Sequence, residues 1–129
     1  MPSNPMTQDG GEVRLTLPWP AKALSPNARS RHWGGKARAT KLARLAAWGL
    51  TLEALKGQKP AWEAVALHWA FHPKTANLPD GDNAESSCKA YRDGIADALG
   101  INDAKFTTTR SIGQPVKGGA VHVTIKGAA

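Results

Sequence analysis

Three stretches of this chain alternate apolar and polar residues in strict order. In EVRLTLP, Val13, Leu15 and Leu17 fall on one side, with Arg14 and Thr16 on the other. AVALHWAF groups Val65, Leu67, Trp69 and Phe71 with His68 between them, and AVHVTIK groups Val121, Val123 and Ile125. Period-two alternation marks a strand with one buried face. The segments between supply the helices that cover such a face. From about Lys36 to Leu55, the residues Leu42, Leu45, Trp48, Gly49 and Leu52 recur at three and four. That spacing predicts an amphipathic helix whose other face shows Arg38, Lys41 and Arg44, closed by Gly57 and Pro60. A second helix is expected from about Ala84 to Leu99, with Cys88, Tyr91, Ile95, Ala98 and Leu99 on its apolar stripe and Gly100 as its stop. KFTTTRSI is rich in β-formers, and QPVKGG links it to the last strand as a turn. The expected order is β-α-β-α-β-β, an α+β fold with one mixed sheet covered by two helices.

A chain of 129 residues suits one domain, here residues 12–127 behind a loose polar lead of residues 1–11. No apolar run approaches the ~20 residues that span a bilayer, and the lead has no signal-peptide apolar stretch. The expected address is the cytoplasm, with no membrane partner. Cys88 is the single cysteine, which excludes an internal disulfide and a cysteine-cluster zinc site. The histidines His32, His68, His72 and His122 lack the spacing of zinc helices and read as strand or loop residues. GGKARAT lacks Walker spacing, so a nucleotide P-loop is not supported.

The formal charge is +7, and it is unevenly placed. No acid lies between Glu12 and Glu53, while Lys22, Arg29, Arg31, Lys36, Arg38, Lys41 and Arg44 all fall in that gap. Such a block attracts polyanions, of which nucleic acid is the commonest. Asn27, Arg29, Arg31, Trp33, Lys36, Arg38, Lys41 and Arg44 are the expected contacts. Trp33, an aromatic among arginines, can stack on an exposed base or anchor its loop. Trp19, Trp48, Trp62 and Trp69 read as packing residues.

Six of the ten acids gather between Leu78 and Lys105. Asp80 and Asp82 flank Gly81, and in an extended backbone both carboxylates would face one point. Pro79 and Gly81 work against helix there. Two carboxylates aimed together repel unless a cation sits between them, and Mg²⁺ is held by one or two carboxylates with waters and phosphate oxygens. The alternative is a turn in which Asp82 or Asn83 caps the following helix. Lys89 is seven residues beyond Asp82, close to two helical turns, where an ammonium could neutralise charge developing on a phosphate. It could equally form a surface ion pair with Asp93.

Read in order, these pieces resemble the RusA-type Holliday junction resolvases, a family common in prophages. LTLPWP is similar to the family's first strand and SPN to its Pro-x-x-Asn. DGDN resembles its Asp-x-Asp-Asn motif, KAYRDGIADAL its Lys-x-x-x-Asp helix, NDAKF its (Asp/Asn)-Asp turn, and VKGGAVHVTI its closing strand. The resemblance implies a homodimeric, Mg²⁺-dependent endonuclease (Mn²⁺ being a possible substitute) that cuts four-way DNA junctions. Asp80, Asp82 and Asp103 would be the metal ligands and Lys89 the auxiliary cation. Two departures stand out. The lysine follows the second aspartate by seven residues where the family's best-known version has four, which in one helix keeps its face and moves it about 4.5 Å. Asn102 stands where an aspartate is frequent.

A continuous helix from Ala84 to Leu99 would be about 24 Å long and would hold Asp82 and Asp103 apart. Either the Ile101–Asp103 loop folds back, or Asp103 comes from a second subunit. Two rival functions are open to the same residues: a non-catalytic DNA-binding protein whose acids are structural, and a metal-dependent RNA-processing nuclease. The basic block carries a prediction of its own. If about four to six of its side chains meet phosphates, the slope of log K against log salt for DNA binding is roughly −4 to −5. A titration that gives a slope near zero removes the electrostatic argument.

Overall fold

The alternating segments form a sheet because each carries one row of side chains that only a covered face can accept. The computed structural model describes residues 12–25, 33–76 and 81–128, with the backbone alone for residues 33, 34, 81 and 82. Strand β1 (Glu12–Pro18) is followed by helix α1 (Trp33–Ala54) and strand β2 (Ala64–His72). Then come helices α2 (Gly81–Ser87) and α3 (Lys89–Leu99), and strands β3 (Phe106–Ile112) and β4 (Ala120–Ala128). Short 3-10 turns occupy Lys22–Leu24 and Asp103–Lys105. The expected α+β fold is present as one domain with an open, mixed, four-stranded sheet. Among the described residues, no helix is long and apolar enough to cross a membrane.

The strand order is β1-β4-β2-β3. β4 pairs antiparallel with both β1 and β2, while β2 pairs parallel with β3. The link QPVKGG is therefore not a hairpin turn, since it carries the chain past β2 to the far side of the sheet. The three alternating rows Val13–Leu15–Leu17, Val65–Leu67–Trp69–Phe71 and Val121–Val123–Ile125 are all buried. Each large side chain so covered stabilises the fold by about 1.5–3 kcal/mol. The opposite face keeps the polar row: His68 bonds the hydroxyls of Thr109 (2.7 Å) and Ser111 (3.0 Å), and His122 lies 3.3 Å from that of Thr16. His72 donates through Nδ1 to the Gln114 carbonyl at 2.9 Å.

The second expected helix is two helices. Its apolar stripe is buried as anticipated, but Cys88 (φ −98°, ψ 10°) interrupts the run. The Cys88 N–H reaches back three residues to Glu85 at 3.0 Å instead of four. Just before it, the Ser87 hydroxyl donates to the Asn83 carbonyl at 2.8 Å. A serine that competes for its own helix's carbonyl bends the helix. α3 ends at Gly100 (φ 70°), whose N–H and that of Ile101 both bond the Ala96 carbonyl.

α1 turns a different face inward from the one its leucines mark. Leu42 is 59% exposed, Leu45 54% and Trp48 41%, whereas Ala47, Thr51 and Leu55 are buried. The reason is close packing against α3. A Cβ built on Gly94 would land inside contact distance of the Arg44 carbonyl oxygen and 3.0 Å from the Ala47 Cβ. Only small residues allow that approach, so the alanine side of α1 faces α3 and the leucine side faces out. Arg44 is drawn into the same contact, donating to Asp97 at 2.6 and 2.9 Å.

Two glycine substitutions test this arrangement in opposite senses. Gly94→Ala should lower stability by about 1–3 kcal/mol despite alanine's better helix propensity, because the backbone of α1 must move. Gly49→Ala meets nothing within 4 Å and should raise stability by up to about 1 kcal/mol. Chemical denaturation of both variants measures the difference.

Candidate metal and nucleic-acid site

The break at Cys88 opens a cleft of about 530 Å³ between α2, the start of α3 and strand β3. Glu85 and Ser86 come from α2, Lys89 and Arg92 from α3, Asp103 from the 3-10 turn and Arg110 from β3. Trp69 and Cys88, both buried, also line it. Glu85 is held to the edge of the sheet: Thr108 donates to it at 3.2 Å and Arg110 at 3.0 Å.

Asp103 reaches this cleft because its loop folds back along α3. The Asn102 side chain accepts from the Ala104 N–H at 2.8 Å, which starts the 3-10 turn. Arg92 then donates through Nη2 to the Asp103 carbonyl at 3.1 Å, with its Nε 3.9 Å from the carboxylate. Its guanidinium lies 5.9 Å from the centre of the Phe106 ring, so the tether is braced on the sheet. The turn thus brings Asp103 to the same cleft as Glu85. Asp103 lines that cleft across from the α2 residues Glu85 and Ser86.

The other expected residues divide between α2, α3 and segments that are not described. Asp80 lies outside the described residues. Gly81 and Asp82 are the first two residues of α2, so their backbone is helical and not extended. The first position of a helix tolerates glycine, because its N–H has no intrahelical partner to lose. The side chain of Asp82 lies outside the described residues. Asn83 is inside the helix and does not cap it. Lys89 opens α3 with its side chain 74% exposed, 3.5 Å from Asp93. The break at Cys88 means that the two-turn spacing from Asp82 does not run along one helix. Glu85 was not among the expected residues. A helix starting at Gly81 puts it one turn beyond Asp82, and that was the available signal.

Asn27, Arg29 and Arg31 lie outside the described residues, and Trp33 opens α1 with its side chain likewise outside. Lys36, Arg38 and Lys41 are exposed along α1. Arg44 is committed to Asp97, whose carboxyl the guanidinium holds below the usual range, first by hydrogen bonding and then by charge. On the other side of α2 a second cleft of about 420 Å³ is lined by Trp19, Lys22, Lys74 and Ser87. Its two lysines extend the cationic surface across the helix.

The donor chemistry of the first cleft suits a hard cation. Glu85 and Asp103 offer carboxylate oxygens, and no histidine lines it among the described residues. Burial, with the nearby Glu85 charge adding to it, pushes the Cys88 thiol up to about 12, which leaves it protonated and a poor metal ligand. Oxygen-only sets favour Mg²⁺ or Mn²⁺ over zinc. Among the described residues no three His, Cys, Asp or Glu side chains converge. The Trp69 indole N–H is also buried without an acceptor among the described residues. Tyr91 braces the neighbouring wall, donating to the Pro18 carbonyl at 2.8 Å, and burial pushes its hydroxyl up to about 12.

No protein-family model matches the chain. A protein of Xylella fastidiosa (strain Temecula1), described as an uncharacterized protein, is 45% identical over 123 residues, covering 88% of this chain and 75% of the relative.

The thiol supplies a direct test of the cleft's floor. Alkylation of Cys88 by iodoacetamide near neutral pH should be at least ~100-fold slower in the folded protein than in denaturant, since only the thiolate reacts. Equal rates would mean that the break at Cys88 leaves the side chain open to water.

Proposed function

This chain belongs to the same family as the Xylella fastidiosa protein, and we propose that it works as a Mg²⁺-dependent endonuclease on four-way DNA junctions. The observation that carries the reading is the fold-back of Asp103. It brings the acid of the NDAK turn to the cleft beside the helix of the DGDN segment, with Lys89 on the same rim. The resemblance to RusA-type resolvases requires such a gathering, and of its four residues Lys89 and Asp103 line this cleft.

Asp80, Asp82 and Asp103 would hold the ion, with Glu85 one helical turn from Asp82. When bound, Mg²⁺ lowers the pKa of a water and supplies the nucleophile for phosphodiester hydrolysis. The protein's own part is positional and electrostatic. Arg92 fixes Asp103 through its backbone carbonyl and leaves the carboxylate loosely engaged at 3.9 Å, able to turn to a cation. Arg110 fixes Glu85 and so ties α2 to the sheet. Lys89 is exposed at the rim, placed to meet the charge that builds on a phosphate in the transition state. Lys36, Arg38 and Lys41 on α1 and Lys22 and Lys74 beside α2 would grip flanking backbone.

The reading is tested with purified protein on labelled four-way junction, linear duplex and RNA hairpin, with Mg²⁺ or with chelator. Paired nicks in the junction alone, and only with metal, are expected. Binding that never leads to cleavage would favour the non-catalytic protein, and preferential cutting of the hairpin would favour an RNA-processing nuclease. Asp82→Asn and Asp103→Asn should each abolish nicking while junction binding in a gel shift stays equal or improves, since each removes charge and keeps size. Loss of binding together with loss of the circular dichroism spectrum would assign these aspartates to the fold instead.

A further inference from the structure

The sheet has two unlike edges. β1 ends in Pro18 with Pro20 just beyond, and Glu12, Arg14 and Lys126 crowd its other end with paired charge at 2.9 and 3.4 Å. Proline and charge are the devices that keep an edge strand from pairing. β3, FTTTRSI, has no proline, no lysine and an unbroken register against β2. Among the described residues it is paired on one side only, and residues 109–112 are all exposed, including the apolar Ile112 at 37%. The direction of its outward backbone groups is set by one hydrogen bond. The Gly113 N–H reaches the Phe71 carbonyl at 2.8 Å, so odd-numbered residues of β3 face β2. The N–H and C=O groups of Phe106, Thr108, Arg110 and Ile112 therefore point away from the sheet.

We infer that β3 pairs antiparallel with the β3 of a second copy of this chain, across a two-fold axis at Thr109. The side chains select this register. With Thr109 opposite Thr109, the outward-pointing residues meet as hydrogen-bonded pairs, Thr108 with Arg110 and Phe106 with Ile112. The exposed Ile112 is then covered by an aromatic ring, and Arg110 meets a hydroxyl. On the open face Thr107 meets Ser111, a favourable cross-strand pair. Moving the axis one residue to Arg110 sets two guanidinium groups opposite each other. Moving it to Thr108 leaves Ile112 beyond the paired region. The axis stands perpendicular to the sheet, so the helices of both copies lie on one face, with the two Arg110-lined clefts side by side. This deepens the homodimer of the proposed function by naming its surface. It stands on the edge geometry, and its test uses neither DNA nor metal, so a failed dimer and a failed nuclease assay are told apart.

Directly opposed residues of a non-hydrogen-bonded antiparallel pair have Cα atoms about 4.5 Å apart, within disulfide range. Thr109→Cys should therefore cross-link to a covalent dimer on mild oxidation. Thr107→Cys alone should not, whereas a mixture of Thr107→Cys and Ser111→Cys chains should. In light scattering the unmodified protein should show twice 13.7 kDa, and Ile112→Pro, which removes an outward N–H without touching the β2 ladder, should shift it to 13.7 kDa. Circular dichroism confirms that this variant folds, and Ile112→Lys serves as a second disruptor with no backbone change. A single-chain mass for the unmodified protein at about 100 µM, far above the Kd of a ~1 µM dimer, overturns the inference. So does a dimer that survives both Ile112 variants with no cross-link at position 109, which would assign association to another face such as the Leu42–Leu45–Trp48 stripe.

Discussion

The crossing of α1 over α3 at Gly94 is the contact on which the rest of the molecule depends. The Arg44 carbonyl occupies the space where any side chain at position 94 would begin, and Ala47 fills the remainder. Interiors are packed too densely to absorb even one extra carbon there. The contact fixes how α3 lies on the sheet, and with it the direction in which Arg92 leaves the helix. It also decides which side of α1 is spent on the core. Ala43 and Ala47 go inward because they are small, and the larger Leu42 and Leu45 are left facing water.

From α3 so placed, the cleft is assembled by polar tethers of modest individual strength. Arg92 holds the Asp103 turn by its backbone, and Arg110 with Thr108 holds Glu85. These ion pairs are partly exposed and add little to stability. Their effect is geometric. They bring carboxylates from α2 and from the loop beyond α3 to one concave surface, with Lys89, Arg92 and Arg110 interleaved. Such alternation lowers the repulsion among the acids.

The sheet divides its labour between two faces and two edges. One face is the hydrophobic core, and the other carries hydroxyls and imidazoles that satisfy each other across strands. β2, in the centre, pairs antiparallel on one side and parallel on the other, and a parallel pairing needs a long crossover, here a helical one, to return the chain. That crossover is α2 and α3, the segment with the acids. The topology thus obliges the acidic segment to lie against β3, next to an edge that carries neither proline nor lysine.

Much of this was legible in the residues. The three alternating rows predicted three strands and their buried faces correctly, because alternation reports the pleat, a local property. The stripe from Cys88 to Leu99 predicted the buried side of α3 for the same reason. The resemblance directed attention to Asp103 and Lys89, which share the cleft. What local pattern could not decide was which neighbour each element meets. Leu42, Leu45 and Trp48 of α1 keep a helical period, but the steric demand of Gly94 on another helix turned them outward. The helix read as continuous is broken at Cys88, where a serine back-bond and a buried thiol outweigh propensity. Glu85 stayed hidden because its importance depends on Thr108 and Arg110, more than twenty residues away. Sequence by itself determined the elements and their apolar faces, which are set by bonds and side chains near in the chain. Tertiary structure alone decided the helix crossing, the order of the strands and the membership of the cleft, because each is set by contacts between segments that the chain keeps far apart.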